Sequence, residues 1–313
     1  MNFFTFDSNL HSFPSGHSST IFIVCFILSS VLPKLKYYFY FLATVVALSR
    51  VVVGAHFLTD VVSGGILALI IFKTLNLILN EYNKKLLFSE INFKHHGALV
   101  YFVIFLIGLC VFVTVGPQID LYIASLFYLG KFGFYLQSFH ALSIFFRDVF
   151  LPMILFYILV LPIVSLFLKI EKVFFGHKFN FREIILIWSS QIIVILIFIN
   201  LGLKNFWGRA RPDEIMEFGG DFIFSPWYKI TNACDYNCSF VSGDASVGFS
   251  IIILYLVTKN LFYLYGSIFC GLSLGLIRIF AGGHFFSDII FSGLFTIVLS
   301  LVVFQIYKHI YVK

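Results

Sequence analysis

Apolar residues run through this chain in long unbroken blocks, with polar residues confined to the stretches between them. Nine blocks lie near residues 18–32, 37–53, 57–79, 97–115, 149–169, 183–203, 244–258, 261–279 and 285–307. Crossing a hydrocarbon core takes about 20 apolar residues as helix. Lipid satisfies no open strand edge, so each block predicts a helix. The expected fold is all-α: a polytopic membrane helical bundle of about nine transmembrane helices. The first and seventh blocks are short, and their Ser-rich starts extend them. No basic segment precedes the first block, so the pattern does not read as a signal peptide.

Composition narrows the class further. The chain is 60% hydrophobic and only 12% charged, against roughly 25% charged in a soluble domain. Too few polar side chains exist to coat a soluble enzyme, which excludes that class together with a disordered chain and a disulfide scaffold. The net charge of +6 never gathers into a basic tract, so no nucleic-acid partner is expected. Lys and Arg instead report orientation. Alternate connections hold Lys34, Lys36, Lys73, Lys84, Lys85, Lys94, Lys169, Lys172, Lys178, Arg182, Lys259, Lys308 and Lys313, and these are expected to be cytoplasmic, with the C-terminus. Arg50, Lys131, Arg147, Lys204, Arg209, Arg211, Lys229 and Arg278 fall on the opposite side and need another reason to be there.

Two stretches of the chain match. The first carries Ser15-Gly16-His17, Arg50, His56, Asp60 and Gly65; the second carries Ser242-Gly243-Asp244, Arg278, His284, Asp288 and Gly293. Both contain Arg-x5-His-x3-Asp. The period is far too long for a solenoid, so the chain reads as two related domains. Lys204-x6-Arg211-Pro212 precedes the second copy and has no counterpart before the first.

These residues share a chemistry. Arg and Lys hold phosphate oxygens, one as a planar fork and the other as a point charge. A Gly at a helix start presents backbone N–H groups to an anion. His284 and Asp288 lie four apart on one helical face. A carboxylate on one imidazole nitrogen leaves the other as a nucleophile. Lys204, Arg211, Arg278, Ser242, Gly243, Asp244, His284 and Asp288 all fall at one membrane surface. Together they form a toolkit for phosphoryl transfer in which cations do the work of a metal.

The motifs resemble those of the type 2 phosphatidic acid phosphatase family, which includes the vanadium haloperoxidases. That family pairs Lys-x6-Arg-Pro with Pro-Ser-Gly-His and Ser-Arg-x5-His-x3-Asp. The resemblance implies that Lys204, Arg211 and Arg278 bind phosphate with help from Ser242 and Gly243. It implies that His284 forms a phosphohistidine and Asp288 orients it, with no cofactor and no metal. It also implies a lipid phosphate substrate: phosphatidic acid, phosphatidylglycerol phosphate, an isoprenyl diphosphate or a lipid A phosphate. The expected placement is a bacterial inner membrane with the site facing outward. A haloperoxidase role is disfavoured because the chain is all membrane spans.

Three departures stand out. Val241 replaces a Pro, Leu276-Ile277 replaces the Ser before Arg278, and Asp244 stands where the family has an acid His. A carboxyl serves as a general acid only when burial or a neighbouring anion keeps it protonated. The site is therefore read as active through Asp244, with a slow or inactive scaffold protein and a lipid phosphotransferase as alternatives. In the first copy Ser15, Gly16, His17, Arg50, His56 and Asp60 match the family in full, but without the Lys and Arg this site is expected to be close to inactive. Residues 1–80 are read as a domain that lost its N-terminal half or whose start is misassigned, 81–96 as a cytoplasmic linker, and 97–313 as a complete six-span domain.

Smaller features complete the reading. Cys234 and Cys238 could form a local disulfide or remain thiols. Asp120, Arg147 and Asp148 are read as structural ion pairing beside the site entrance. Trp207, Trp227 and Tyr228 are read as an interfacial aromatic belt, with Trp207 a possible substrate contact.

Overall fold

The computed structural model describes residues 15–31, 33–52, 54, 56–82, 93–138, 142, 144–168 and 171–311. They fall into two compact units, within Met1–Asn92 and within Phe93–Lys313. Phe13 and Pro14 of the first motif and most of the 81–96 segment lie outside the described residues.

The first unit contains three helices, Gly16–Val31, Lys36–Val52 and Leu58–Tyr82. Pro33 and the left-handed Gly54 (φ 72°) lie in the connections, where a rigid ring or a positive φ turns the chain. Cys25, Ala43, Ala47 and Ala68 are fully or almost fully buried among these helices. Small side chains let helix backbones approach closely in the absence of a hydrophobic drive between them.

The second unit begins with Phe93–Val115. At Gly116-Pro117 the chain turns by 97° into a short helix, Gln118–Ser125. This helix packs against Phe286–Tyr311. The fifth predicted span is also bent. Phe145–Leu159 and Leu161–Leu168 meet at 44°, because Pro162 donates no N–H to the preceding turn. Phe181–Phe206 follows, started by a reciprocal cap in which Asn180 accepts from the Glu183 N–H and Glu183 from the Asn180 N–H. After an irregular connection come Gly243–Thr258, Leu261–Phe280 and Phe286–Tyr311.

Among the described residues, Phe181–Phe206, Leu261–Phe280 and Phe286–Tyr311 are long and apolar enough to cross a membrane, and the count rises to five if each bent pair is one span. Phe167, Leu196, Ile197, Phe206 and Phe269 are exposed on this unit, a surface suited to lipid. The chain is an integral membrane protein with an all-α fold.

Glycines and hydroxyls fix the helices that carry the motifs. A Cβ on Gly248 would stand 2.6 Å from the Cys270-Gly271 backbone, and one on Gly275 would stand 2.4 Å from Ile289. The backbones of Gly243–Thr258 and Leu261–Phe280 are therefore in near contact, and Ile289 packs directly on the Gly275 backbone. Ser246 Oγ lies 2.8 Å from Ser292 Oγ, Ser292 donates to the Ser242 carbonyl at 3.0 Å, and Ser267 donates to the Phe249 carbonyl at 2.6 Å. Such interhelical hydroxyl bonds add modest stability in lipid, about 1 kcal/mol each.

Candidate active site

The chemistry gathers at one end of the second unit, where two helices finish and two begin. Lys204 is in the last turn of Phe181–Phe206 and Arg278 in the last turn of Leu261–Phe280. Gly243 and Asp244 open one helix, and Asp288 lies in the first turn of another, just after His284. Alternation of chain direction brings these four ends to one level.

His284 is buried, and its Nδ1 lies 2.6 Å from the Ser239 carbonyl. A carbonyl only accepts, so Nδ1 carries the proton and Nε2 keeps its lone pair. Asp288 Oδ2 is 3.7 Å from the same Nδ1. Nδ1 thus faces two acceptors, the Ser239 carbonyl at hydrogen-bond distance and the expected partner Asp288 further off. Asp288 acts one step back: its Oδ2 accepts from Ser239 Oγ at 2.5 Å and from the Phe285 N–H at 2.8 Å. Burial, with the nearby Lys204 and Arg278 charges, lowers the His284 pKa to about 4. The imidazole is therefore neutral at physiological pH.

The cations take distinct places. Lys204 is buried, and its Nζ donates to Asn237 Oδ1 at 2.8 Å. Arg211 Nη2 donates to the Asn237 carbonyl at 2.7 Å. Gly243 packs against them: a Cβ there would stand 2.9 Å from Asn200 Oδ1 and 3.5 Å from Lys204 Nζ. Arg278 Nε pairs with Asp244 Oδ2 at 3.4 Å, both partly exposed. Phe146, Arg147, Asp244, Leu274, Ile277 and Arg278 line one cleft, which places Arg147 beside Asp244 and Arg278. Ser242 is fully buried; its Oγ caps the Gly243–Phe249 helix by accepting from the Ala245 N–H at 3.4 Å. Its side chain therefore organises the helix start.

Arg209 has a different role from its neighbour in the motif. It is wholly buried and donates to Ser225 O (3.0 Å), Ser287 Oγ (2.8 Å), Asp288 Oδ1 (2.6 Å) and Asp120 Oδ2 (2.8 Å). It also lies 4.3 Å from the centre of the Phe285 ring. Asp120 in turn accepts from the Ser287 N–H at 2.8 Å and from its hydroxyl at 2.5 Å. A buried Asp–Arg–Asp triad thus ties the Gln118–Ser125 helix to Asp288, and Arg209 is committed to it. The sequence reading left Arg209 without an assigned role among the basic residues opposite the cytoplasmic set; a charge in an outer connection gave a signal but not the destination.

Other expectations resolve similarly. Trp207 lies against Phe240, and Trp227 stacks 4.0 Å from Phe291 while donating to Thr114 Oγ1 at 3.0 Å. Both Trp residues are half-buried. Cys234 and Cys238 form a disulfide.

The first unit repeats the local geometry. His56 Nδ1 lies 3.6 Å from Asp60 Oδ2, which also accepts from the Phe57 N–H at 3.0 Å. Ser15 N–H donates to the Asp60 carbonyl at 3.0 Å, as Ser242 does to the Asp288 carbonyl at 3.3 Å. Gly65 faces Phe22 as Gly293 faces Phe249. Arg50 is buried at the end of its helix. The His17 side chain lies outside the described residues.

Comparison with known proteins points the same way. The sequence model of the PAP2 superfamily matches residues 2–84 and 185–311, more than half of the chain. A lipid A 4'-phosphatase of Francisella tularensis subsp. novicida (strain U112) is 33% identical over 207 residues, covering 63% of this chain and 89% of the relative. One from Rhizobium leguminosarum is 28% identical over 201 residues, covering 58% of this chain and 84% of the relative. No solved structure matches the chain at the same stringency. With the motif residues assembled at one end of a membrane bundle, the chain belongs to the PAP2 superfamily and is a membrane lipid phosphatase.

Proposed function

We propose that this phosphatase removes a phosphate from a lipid A-type glycolipid through a phosphohistidine on His284, without a metal, at the membrane face opposite the lysine-rich connections. The observation that carries the reading is the Ser239 carbonyl on His284 Nδ1, which leaves Nε2 free as a nucleophile. Lys204, Arg211 and Arg278 then meet the phosphate oxygens, with the Gly243 backbone beside Lys204, and stabilise the charge that builds during in-line displacement. The Nε2–P bond forms as the P–O bond to the lipid breaks, and Asp244 donates a proton to the leaving oxygen. Water next attacks phosphorus and passes its proton to Asp244 as the Nε2–P bond breaks, which frees the His284 imidazole and releases inorganic phosphate.

Asp244 pairs with Arg278 in the resting site. An arriving phosphate dianion competes for that Arg. The lipid A-type substrate is supported by the relatives of that activity. The test is phosphate release by purified protein from lipid A, phosphatidic acid, phosphatidylglycerol phosphate and an isoprenyl diphosphate, with and without chelator. The expected result is release from lipid A that survives the chelator and is lost in His284→Ala. Release unchanged in His284→Ala would overturn the mechanism, and preference for another lipid would overturn the substrate.

A further inference from the structure

We propose that the Cys234–Cys238 disulfide is a clip that sets the phosphate cations, with Asn237 as the positioning residue for both Lys204 and Arg211, so that phosphate binding depends on an oxidised loop. The inference rests on the reading above only in taking Lys204 and Arg211 as phosphate ligands. Three consecutive residues run beside the motif like a splint. Asn237 gives its side-chain oxygen to Lys204 Nζ and its carbonyl to Arg211 Nη2. Cys238 N–H donates to the Lys204 carbonyl and Ser239 N–H to the Arg209 carbonyl, both at 2.9 Å. Ser239 continues the run to His284 and Asp288. The disulfide joins the residue that opens this turn to the one beside Asn237.

The physical need is plain. Lys and Arg are long, carry about 2 kcal/mol of rotamer entropy each, and repel one another when brought together. A neutral amide holds both in place without cancelling the positive field that the phosphate requires. Asn237 has a left-handed backbone (φ 53°), the conformation that directs its carbonyl and its side chain to the two cations, and one that Asn tolerates better than most residues. The turn is exposed at Asn237, where solvent competes for these bonds. A covalent closure one residue away keeps the turn in that shape.

The test uses the full chain in nanodiscs and tungstate, a phosphate analogue inert to reductants. A phosphine converts the disulfide to two thiols and itself becomes the phosphine oxide, its oxygen coming from water. Mass spectrometry after alkylation confirms that Cys234 and Cys238 are free. Reduction is expected to weaken tungstate binding and raise KM for the lipid by about tenfold, the scale of losing one hydrogen bond to a charged group, with kcat within about threefold. Asn237→Gly, which keeps the left-handed turn and the carbonyl, should show the same KM-dominated loss. Cys234→Ser with Cys238→Ser should match reduced wild type and no longer respond to phosphine. Should that variant fail to fold, the comparison of oxidised and reduced wild type stands by itself. Unchanged tungstate affinity in fully reduced wild type overturns the proposal, as does a loss confined to kcat. If oxidised wild type binds no tungstate, the phosphate-site assignment fails instead.

Discussion

Replacing Arg209 by Met removes the one cation between two buried carboxylates. Asp288 then keeps its bonds from Ser239 Oγ and the Phe285 N–H, and Asp120 keeps those from Ser287. Neither retains a neutralising charge, since both are almost completely buried. Breaking a buried ion pair from one side costs about 3–5 kcal/mol. In a unit of this size each kcal/mol moves a melting temperature by about 2–4 °C. Arg209→Met is therefore expected to melt about 6–20 °C below wild type in the same detergent. Asp120→Asn keeps an oxygen acceptor and removes one charge, and its cost should be smaller, about 1–3 kcal/mol. There is a functional signature as well. Without Arg209, the Asp288 charge acts undiminished on His284 Nδ1 at 3.7 Å. That raises the imidazole pKa and moves the acid limb of kcat/KM to higher pH. The assays are a thermal melt followed by intrinsic fluorescence and a pH–rate profile on the surviving fraction. A melt within about 2 °C of wild type would refute the view that Arg209 is a buried counter-ion. An acid limb moving to lower pH would refute the electrostatic reasoning.

Further outcomes follow from the same geometry. Because burial holds His284 at about 4, below the ordinary 6.5 or so, it stays neutral as pH falls; kcat/KM should keep most of its neutral-pH value at about pH 5.5 and fall near pH 4. The same shift lowers stability as pH drops from about 6.5 towards 4, because the unfolded chain takes the proton first, which acid melts would register as a falling Tm. His284→Ala should cost a thousandfold or more in kcat, on the order of losing a catalytic nucleophile, while His56→Ala stays within about twofold; equal losses would reverse the assignment of sites. Gly248→Ala forces a methyl to 2.6 Å from the Cys270-Gly271 backbone and should cost about 1–3 kcal/mol, read as a lower melt with reduced activity, because Asp244 shifts against Arg278.

Much of this protein is legible before folding. Long apolar blocks predict helices because hydropathy is local to the chain, and each block overlaps a described helix. The bends are harder to read, since Pro117 and Pro162 mark them but give neither the angle nor the destination of the following segment. Residue spacing also carries the motif: His284 and Asp288, or Lys204 and Arg211, can be picked out because their separation fits one turn or one loop. By contrast, Asn237 and Ser239 carry no such signal. They act through carbonyls, N–H groups and small neutral side chains, which every loop contains.

The sequence by itself thus determined an all-helical membrane protein, a repeated Arg-x5-His-x3-Asp motif and the residue types of a phosphate site. Tertiary structure decided which groups serve which. It gave His284 the Ser239 carbonyl as its partner, committed Arg209 to Asp120 and Asp288, and set Asn237 between Lys204 and Arg211. These contacts join residues 26 to 89 positions apart. Two of them run through backbone carbonyls, whose chemistry is the same everywhere along the chain until folding selects their neighbours.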